Sequence, residues 1–318
     1  MAKVKAYLGI DTSCYTTSIC LIDTNGKLLA EARQILKVKE GNRGLQQSEM
    51  VFQHTHNLPV LLKQIAFDNI ELKGVGVSAT PRPTAESYMP AFLVGLGFAR
   101  SLAIVNKLPL YEISHQENHL EAGLWSAQGP QDDRFLLLHA SGGTTDLLLA
   151  EKQADARFSL QPVGGSLDLH AGQFIDRLGV AMGLGFPCGP TLEKLAAAAK
   201  NAFVLPVSVN DCYTSLSGPA SAALRALQKG ASHAELALGA EIMLAASFSR
   251  IIINAAAKYN VNAVLIVGGV ASNALIRTVM QENLQKTAIA LWYPQAQYSA
   301  DNASGCAAFA YKHGESHV

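Results

Sequence analysis

Leu8-Gly-Ile-Asp-Thr-Ser13-Cys-Tyr-Thr16-Thr17, an apolar run ending in a hydroxyl-rich turn, returns 128 residues further on as Leu136-Leu-Leu-His-Ala-Ser141-Gly-Gly-Thr144-Thr145. Three hydroxyl residues coincide in register. Each copy leads into a second apolar strand and then into alternating helix and strand patterns, so two copies of one α/β unit are expected. Around the first copy, Ala6 to Asp23 reads as two strands, and Asn25-Gly26 closes a hairpin before Lys27 to Ala32. Helices are expected over Ser48 to Ala66 and Ala91 to Asn106, with strands at Gly74 to Ala79 and Lys107 to Ile113. After the second copy the pattern predicts helices at Phe174 to Leu184, Thr191 to Lys200, Gly218 to Lys229, Ala234 to Tyr259, Ala274 to Gln285 and Asn302 to His313. Strands at Ala263 to Val267 and Ala288 to Trp292 fall between the last of them.

The chain has 318 residues, 49% of them hydrophobic and 16% charged, which suits two domains with sizeable cores. Lys+Arg 25 balances Asp+Glu 25, so bulk charge announces neither a stand-alone nucleic-acid binder nor a membrane-surface protein. Met1 to Ala6 carries no apolar signal core, and no run reaches the roughly 20 continuous apolar residues of a membrane span. A cytoplasmic protein is the expectation. Five cysteines, at 14, 20, 188, 212 and 306, form no CxxC pair, which points to free thiols rather than a disulfide framework or a thiolate zinc site.

Three turns offer hydroxyls and approachable backbone. Ser13 to Thr17 and Ser141 to Thr145 lie between apolar strands and suit a clamp on phosphate oxygens, although an ordinary hairpin accounts for the first equally well. In Ile266-Val267-Gly268-Gly269-Val270-Ala271-Ser272-Asn273, a buried strand ends in two glycines, a geometry that suits an adenine or ribose against bare backbone.

Ser114-His115-Gln116-Glu117-Asn118-His119 is the sharpest signal, because histidines at i and i+4 stack one helical turn apart and can share a metal ion. Glu117 sits roughly 200° around the helix from His115, where a protease base cannot share the metal face. With Ser114 it instead fits a capping box that starts the helix just before His115. Two histidines call for a carboxylate partner. Asp301, in Tyr298-Ser299-Ala300-Asp301-Asn302, is the candidate, although the residues alone favour a plain helix cap for it.

GIDTS near the start, HxxxH after a strand, SGGxT, Gly-Phe-Pro-x-Gly-Pro, GGVxxN and a terminal DN follow one another in an order that resembles the TsaD (Gcp) threonylcarbamoyl-transferase family over essentially the whole chain. The resemblance implies an α/β, duplicated actin/hexokinase-type (ASKHA) nucleotide-binding fold with two lobes around a cleft. The expected division is 1–108 for the first lobe, completed by a terminal helix at 299–318, and 109–298 for a second lobe holding the metal histidines and the nucleotide site. By the same resemblance, His115, His119 and Asp301 bind one iron or zinc ion, and Ser141, Gly142, Gly143, Asp176, Gly189 and Asn273 contact an adenine nucleotide or threonylcarbamoyl-AMP, with Ser13 in the first turn. The implied reaction is metal-dependent transfer of the threonylcarbamoyl group to N6 of the adenosine next to the anticodon in tRNA. No residue is an obvious general base.

Departures from the family pattern point to a divergent paralogue. A glycine-rich family stretch reads here Thr80-Pro-Arg82-Pro-Thr-Ala-Glu86-Ser87-Tyr88-Met89-Pro90, which changes backbone shape and makes Arg82 and Glu86 candidates for acceptor recognition, or simply a solvent-exposed pair. His139 occupies a usually apolar place and Gln173 a usually acidic one. tRNA is then expected to require helper proteins, such as a TsaB-like partner; a homodimer is compatible with the sequence and a membrane is not. Two other readings stay open: a small-molecule carbamoyltransferase using carbamoyl-AMP, and a non-catalytic partner protein, against which the histidine pair argues.

Overall fold

In the computed structural model, residues 3–38 and 44–314 are described. The expected terminal segment 299–318 lies within them only as far as 314. The chain divides into two compact units, 1–128 with 301–318, and 129–300.

In the first unit, β1 (Val4–Asp11), β2 (Thr16–Asp23) and β3 (Leu28–Ile35) form the expected meander, followed by α1 (Gln47–Leu62), β4 (Ile70–Thr80), α2 (Phe92–Asn106), β5 (Leu110–Ser114) and α3 (His115–Ala127). The sheet order is β3-β2-β1-β4-β5, antiparallel through the meander and parallel beyond it. The second unit holds β6 (Arg134–Ala140), β7 (Thr145–Lys152), β8 (Phe158–Ser166), α4 (Ala171–Ala181), α5 (Gly189–Ala197), β9 (Val209–Asn210), β10 (Tyr213–Thr214), α6 (Ser217–Gln228), α7 (His233–Tyr259), β11 (Ala263–Val267), α8 (Ala274–Leu284), β12 (Ala290–Trp292) and α9 (Ala296–Ser299). Its sheet runs β12-β11-β6-β7-β8-β10-β9. Five of those strands, β8-β7-β6-β11-β12, repeat the order and the senses of the first sheet. The duplication suggested by the two hydroxyl-rich turns is therefore present in the hydrogen-bonding topology.

The final helix, α10 (Ser304–Gly314), belongs to the first unit. It lies close against the sheet because glycine faces it. A Cβ on Gly9 would sit 2.2 Å from the Ala303 carbonyl oxygen and 2.6 Å from the Ala307 nitrogen. Gly9→Ala must lift the helix, at a cost of about 1–3 kcal/mol for an overpacked core position. We expect a Tm several degrees below the parent, measured by circular dichroism.

The division differs from the expected boundary at 108. β5 hydrogen-bonds in parallel with β4 as the fifth strand of the first sheet, Val75 opposite Leu110 and Val77 opposite Glu112. The following helix α3 is tied to the last helix through Asn118, whose amide donates to the Asn302 carbonyl at 2.8 Å and accepts from Cys306 N at 2.9 Å. Both histidines therefore belong to the first unit, a correction to their expected place in the second. Pairing, rather than sequence order, assigns them.

In the second unit α7 is long and apolar enough to cross a membrane, but 72% of its apolar window is buried. It packs Met243, Leu244, Phe248, Ile251 and Ile252 into the core around β6 and β11, as a central core helix does. All five cysteines are free; four are buried and Cys14 is half-buried.

Candidate active site

In the first unit, Ser114 caps α3 through its hydroxyl, which accepts from Glu117 N at 3.2 Å, and Glu117 Oε2 accepts from Ser114 N at 2.7 Å. This capping box fixes the helical phase, so His115 and His119 stack with ring centroids 4.5 Å apart. Their Nε2 atoms converge on one atom, Asp301 Oδ1, at 3.6 and 3.3 Å. Asp301 does not cap the last helix. Asn302 takes that work, its Oδ1 accepting from Ser304 N at 2.8 Å, which leaves the neighbouring carboxylate turned to the histidines.

The electrostatics favour ligation. Burial, helped by the nearby His119, pushes His115 below the usual imidazole range against the pull of Asp301 and Asp11. Burial acts to raise Asp301, but the His119 hydrogen bond and the charges of His115, His119 and His54 outweigh it and hold the carboxyl low. Two imidazole nitrogens and a carboxylate oxygen meeting within 3.6 Å fit a borderline transition metal.

Asp11 was not anticipated. It is fully buried, and burial pushes it up to about 6 against the His115 charge, with Asp301 adding to the rise and Ser13 opposing it. Its Oδ2 accepts from the Ser13 hydroxyl at 2.7 Å. Ser13 is thus buried and directed inward, as are its neighbours: Thr12 Oγ1 donates to the Ala91 carbonyl, and Thr17 Oγ1 pairs with His54 Nδ1 at 2.8 Å. The first hydroxyl turn spends its side chains on packing. Arg82 and Glu86 lie exposed, in a loop where Ser87 Oγ accepts from Arg82 N at 2.8 Å.

In the second unit the equivalent turn is open. Ser141 N donates to the Thr144 carbonyl at 2.8 Å, while Gly142 and Gly143 are exposed, with nothing within 4 Å of where a Cβ would stand. The turn is supported from below by the start of α4: Gly172 N donates to the Ser141 carbonyl at 3.1 Å, and Thr145 Oγ1 accepts from Ala171 N at 2.8 Å. On the same helix Asp176 is half-buried, raised by burial, and accepts from Cys188 N at 2.8 Å. It therefore holds the turn that ends in Gly189, the open first residue of α5. His139 is buried in β6, opposite Asp146 and Val267.

Asn273 caps α8, its Oδ1 accepting from Ile276 N at 2.9 Å, and its Nδ2 donates to Glu241 Oε1 at 2.8 Å. Glu241 is a residue the sequence reading missed. It is wholly buried on α7, and burial pushes it up to about 7, with the Asn273 hydrogen bond opposing and Glu193 adding to the rise. A folded pKa above the unfolded value means a contribution to stability that is complete below about 4.5 and is lost as pH rises through about 7. The span is worth about 3 kcal/mol. Glu241→Gln should therefore gain on the parent as pH rises from 5 to 8, seen as a narrowing or reversed Tm difference.

The sequence pattern of the TsaD family, tRNA N6-adenosine threonylcarbamoyltransferase, matches residues 51–308. The chain belongs to this family. A tRNA N6-adenosine threonylcarbamoyltransferase of Thermus thermophilus is 32% identical over 96% of this chain and 92% of that protein. As a TsaD-family member the chain is an enzyme, an acyltransferase-type transferase. Solved structures of low identity share its fold. The activator of 2-hydroxyisocaproyl-CoA dehydratase from Clostridium difficile, solved with bound ADPNP, is 15% identical, covers 98% of this chain and 96% of that one, and has a TM-score of 0.55. A ROK family glucokinase from Streptomyces griseus, in complex with glucose and AMPPNP, is 11% identical, covers 96% and 99% respectively, and scores 0.56. The TsaD-family chain accordingly has the duplicated actin/hexokinase-type fold.

Proposed function

We propose that this TsaD-family enzyme transfers the threonylcarbamoyl group of threonylcarbamoyl-AMP to N6 of the adenosine next to the anticodon in tRNA, in the cytoplasm. The observation that carries the reading is the meeting of His115 Nε2 and His119 Nε2 at Asp301 Oδ1. Those three residues would hold iron or zinc, which supplies Lewis acidity and a template for the reacting groups.

In the reaction N6 attacks the carbamoyl carbon, an N–C bond forms, and the C–O bond to phosphate breaks. AMP departs with the electron pair, and the N6 proton leaves with the phosphate or to water. The donor is already activated, so the protein's work is orientation and charge stabilisation. Gly142 and Gly143 offer the open backbone for the phosphate. Asp176 and Gly189 shape the neighbouring wall, and Asn273 presents an amide. In the first unit the Ser13 hydroxyl holds the Asp11 carboxylate.

The acceptor is tested by reconstitution with the adenylate, a TsaB-like helper and unmodified tRNA, followed by nucleoside analysis. We expect threonylcarbamoyladenosine to form, and Arg82→Ala to lower transfer several-fold while leaving nucleotide affinity within about twofold. Absence of the modified nucleoside, where a control family member succeeds in the same mixture, would replace this reading with a small-molecule carbamoyltransferase using carbamoyl-AMP.

A further inference from the structure

The start of α8 is a poor place for an anion, because two of its free donors are already taken. Ile276 N goes to Asn273 Oδ1 at 2.9 Å and Ala274 N to Glu193 Oε1 at 2.8 Å. A phosphate there would meet a capped helix end and a carboxylate, so this end of the second unit does not suit the anionic part of a nucleotide.

The Asn273 amide is oriented without ambiguity. A backbone N–H can only donate, so the atom facing Ile276 N must be the amide oxygen, and the NH2 group must face Glu241. One of its two hydrogens goes to Glu241 Oε1. The second has no partner among the described residues, and it is the polar hydrogen that Asn273 has left to offer.

Glu241 itself is costly. It is fully buried, and its Oε2 has no hydrogen-bond partner among the described residues. A carboxyl in that setting is destabilising compared with an apolar side chain of the same size. Its one hydrogen bond acts on Asn273. Its position on the apolar stripe of α7, with Ala237, Leu244 and Ala245 buried one turn either side, gives a methionine every packing advantage.

We propose that Glu241 is a positioning residue that holds the Asn273 amide as a donor, so that the ligand atom it meets is a hydrogen-bond acceptor of the uncharged part of the nucleotide, a base nitrogen or a ribose oxygen. This rests on the nucleotide reading above. Glu241 does not touch the ligand; it acts through Asn273.

The test uses the full chain, AMP as the probe, and calorimetric affinity alongside Tm. Glu241→Gln keeps an acceptor for the Asn273 amide and should bind AMP within about threefold of the parent. Glu241→Met fills the space without an acceptor and should weaken AMP about tenfold, the scale of one misdirected hydrogen bond, while its Tm equals or exceeds the parent's. In an Asn273→Ala background the same methionine substitution should change affinity by less than about twofold, since the residue it acts through is gone. Parental affinity in Glu241→Met overturns the proposal. So does an undiminished effect in the Asn273→Ala background, or a fall in Tm that tracks the fall in affinity, which would make Glu241 a packing residue. A parent chain that binds no AMP overturns the nucleotide reading itself and the proposal with it.

Discussion

Asp301→Ala should carry no stoichiometric transition metal and should lose transfer activity, with the secondary structure of the chain retained. Three donor atoms converge in the first unit, and the carboxylate is the one anionic member, 3.3 and 3.6 Å from the two imidazole nitrogens. Removing it leaves two imidazole nitrogens and no anionic donor, too few ligands to hold a divalent ion against water. The fold is not expected to follow, because Asn302 makes the turn into α10 and Asn118 makes the bridge from α3. His115→Ala should behave alike, since Nε2 of His119 alone keeps one contact to the carboxylate. Elemental analysis of purified protein, read beside far-ultraviolet circular dichroism, decides the matter. Full metal occupancy in either variant would remove the triad from the site.

Much of this geometry was legible in the sequence, for reasons that differ from residue to residue. The helix phase that pairs His115 with His119 is local, written in Ser114 and Glu117, and the structure repeats it atom for atom. The duplicated strand order follows from two similar turns opening two similar meanders. Asp301, in contrast, lies 182 residues from His119 and could be preferred as a ligand over a cap only by resemblance, because that choice depends on what Asn302 does. The boundary at 108 failed because a strand's sheet is decided by its neighbour: β5 reads the same whichever unit receives it, and its register with β4 is a tertiary fact.

Glu241 went unnoticed for a related reason. One of two carboxylates in a 27-residue helix is ordinarily a solvated surface charge, and only its spacing from Ala237, Leu244 and Ala245 marks it as lying on the buried stripe. That signal was present. The inward turning of Ser13 and Thr17 had none, since a hydroxyl that clamps phosphate and one that pairs with a buried histidine have the same letters.

Gly142→Val should abolish the rise in Tm that adenine nucleotide gives the parent chain, with the unliganded Tm unchanged. At a ligand concentration of about 100 times Kd the parent gains about 2.7 kcal/mol, a shift of several degrees. A branched side chain at 142 stands where a phosphate oxygen must approach the backbone, yet a Cβ there meets nothing within 4 Å and Gly142 does not occupy the left-handed region, so the fold bears it. Gly172→Ala supplies the contrast. Its Cβ would fall 2.4 Å from Gly142 Cα and 2.6 Å from the Ser141 carbonyl oxygen, so it displaces the turn from below and should cost stability as well as ligand response. Thermal scans of the two variants with and without AMP separate a blocked surface from a displaced one. A parental ligand shift in Gly142→Val would place the phosphate away from this turn.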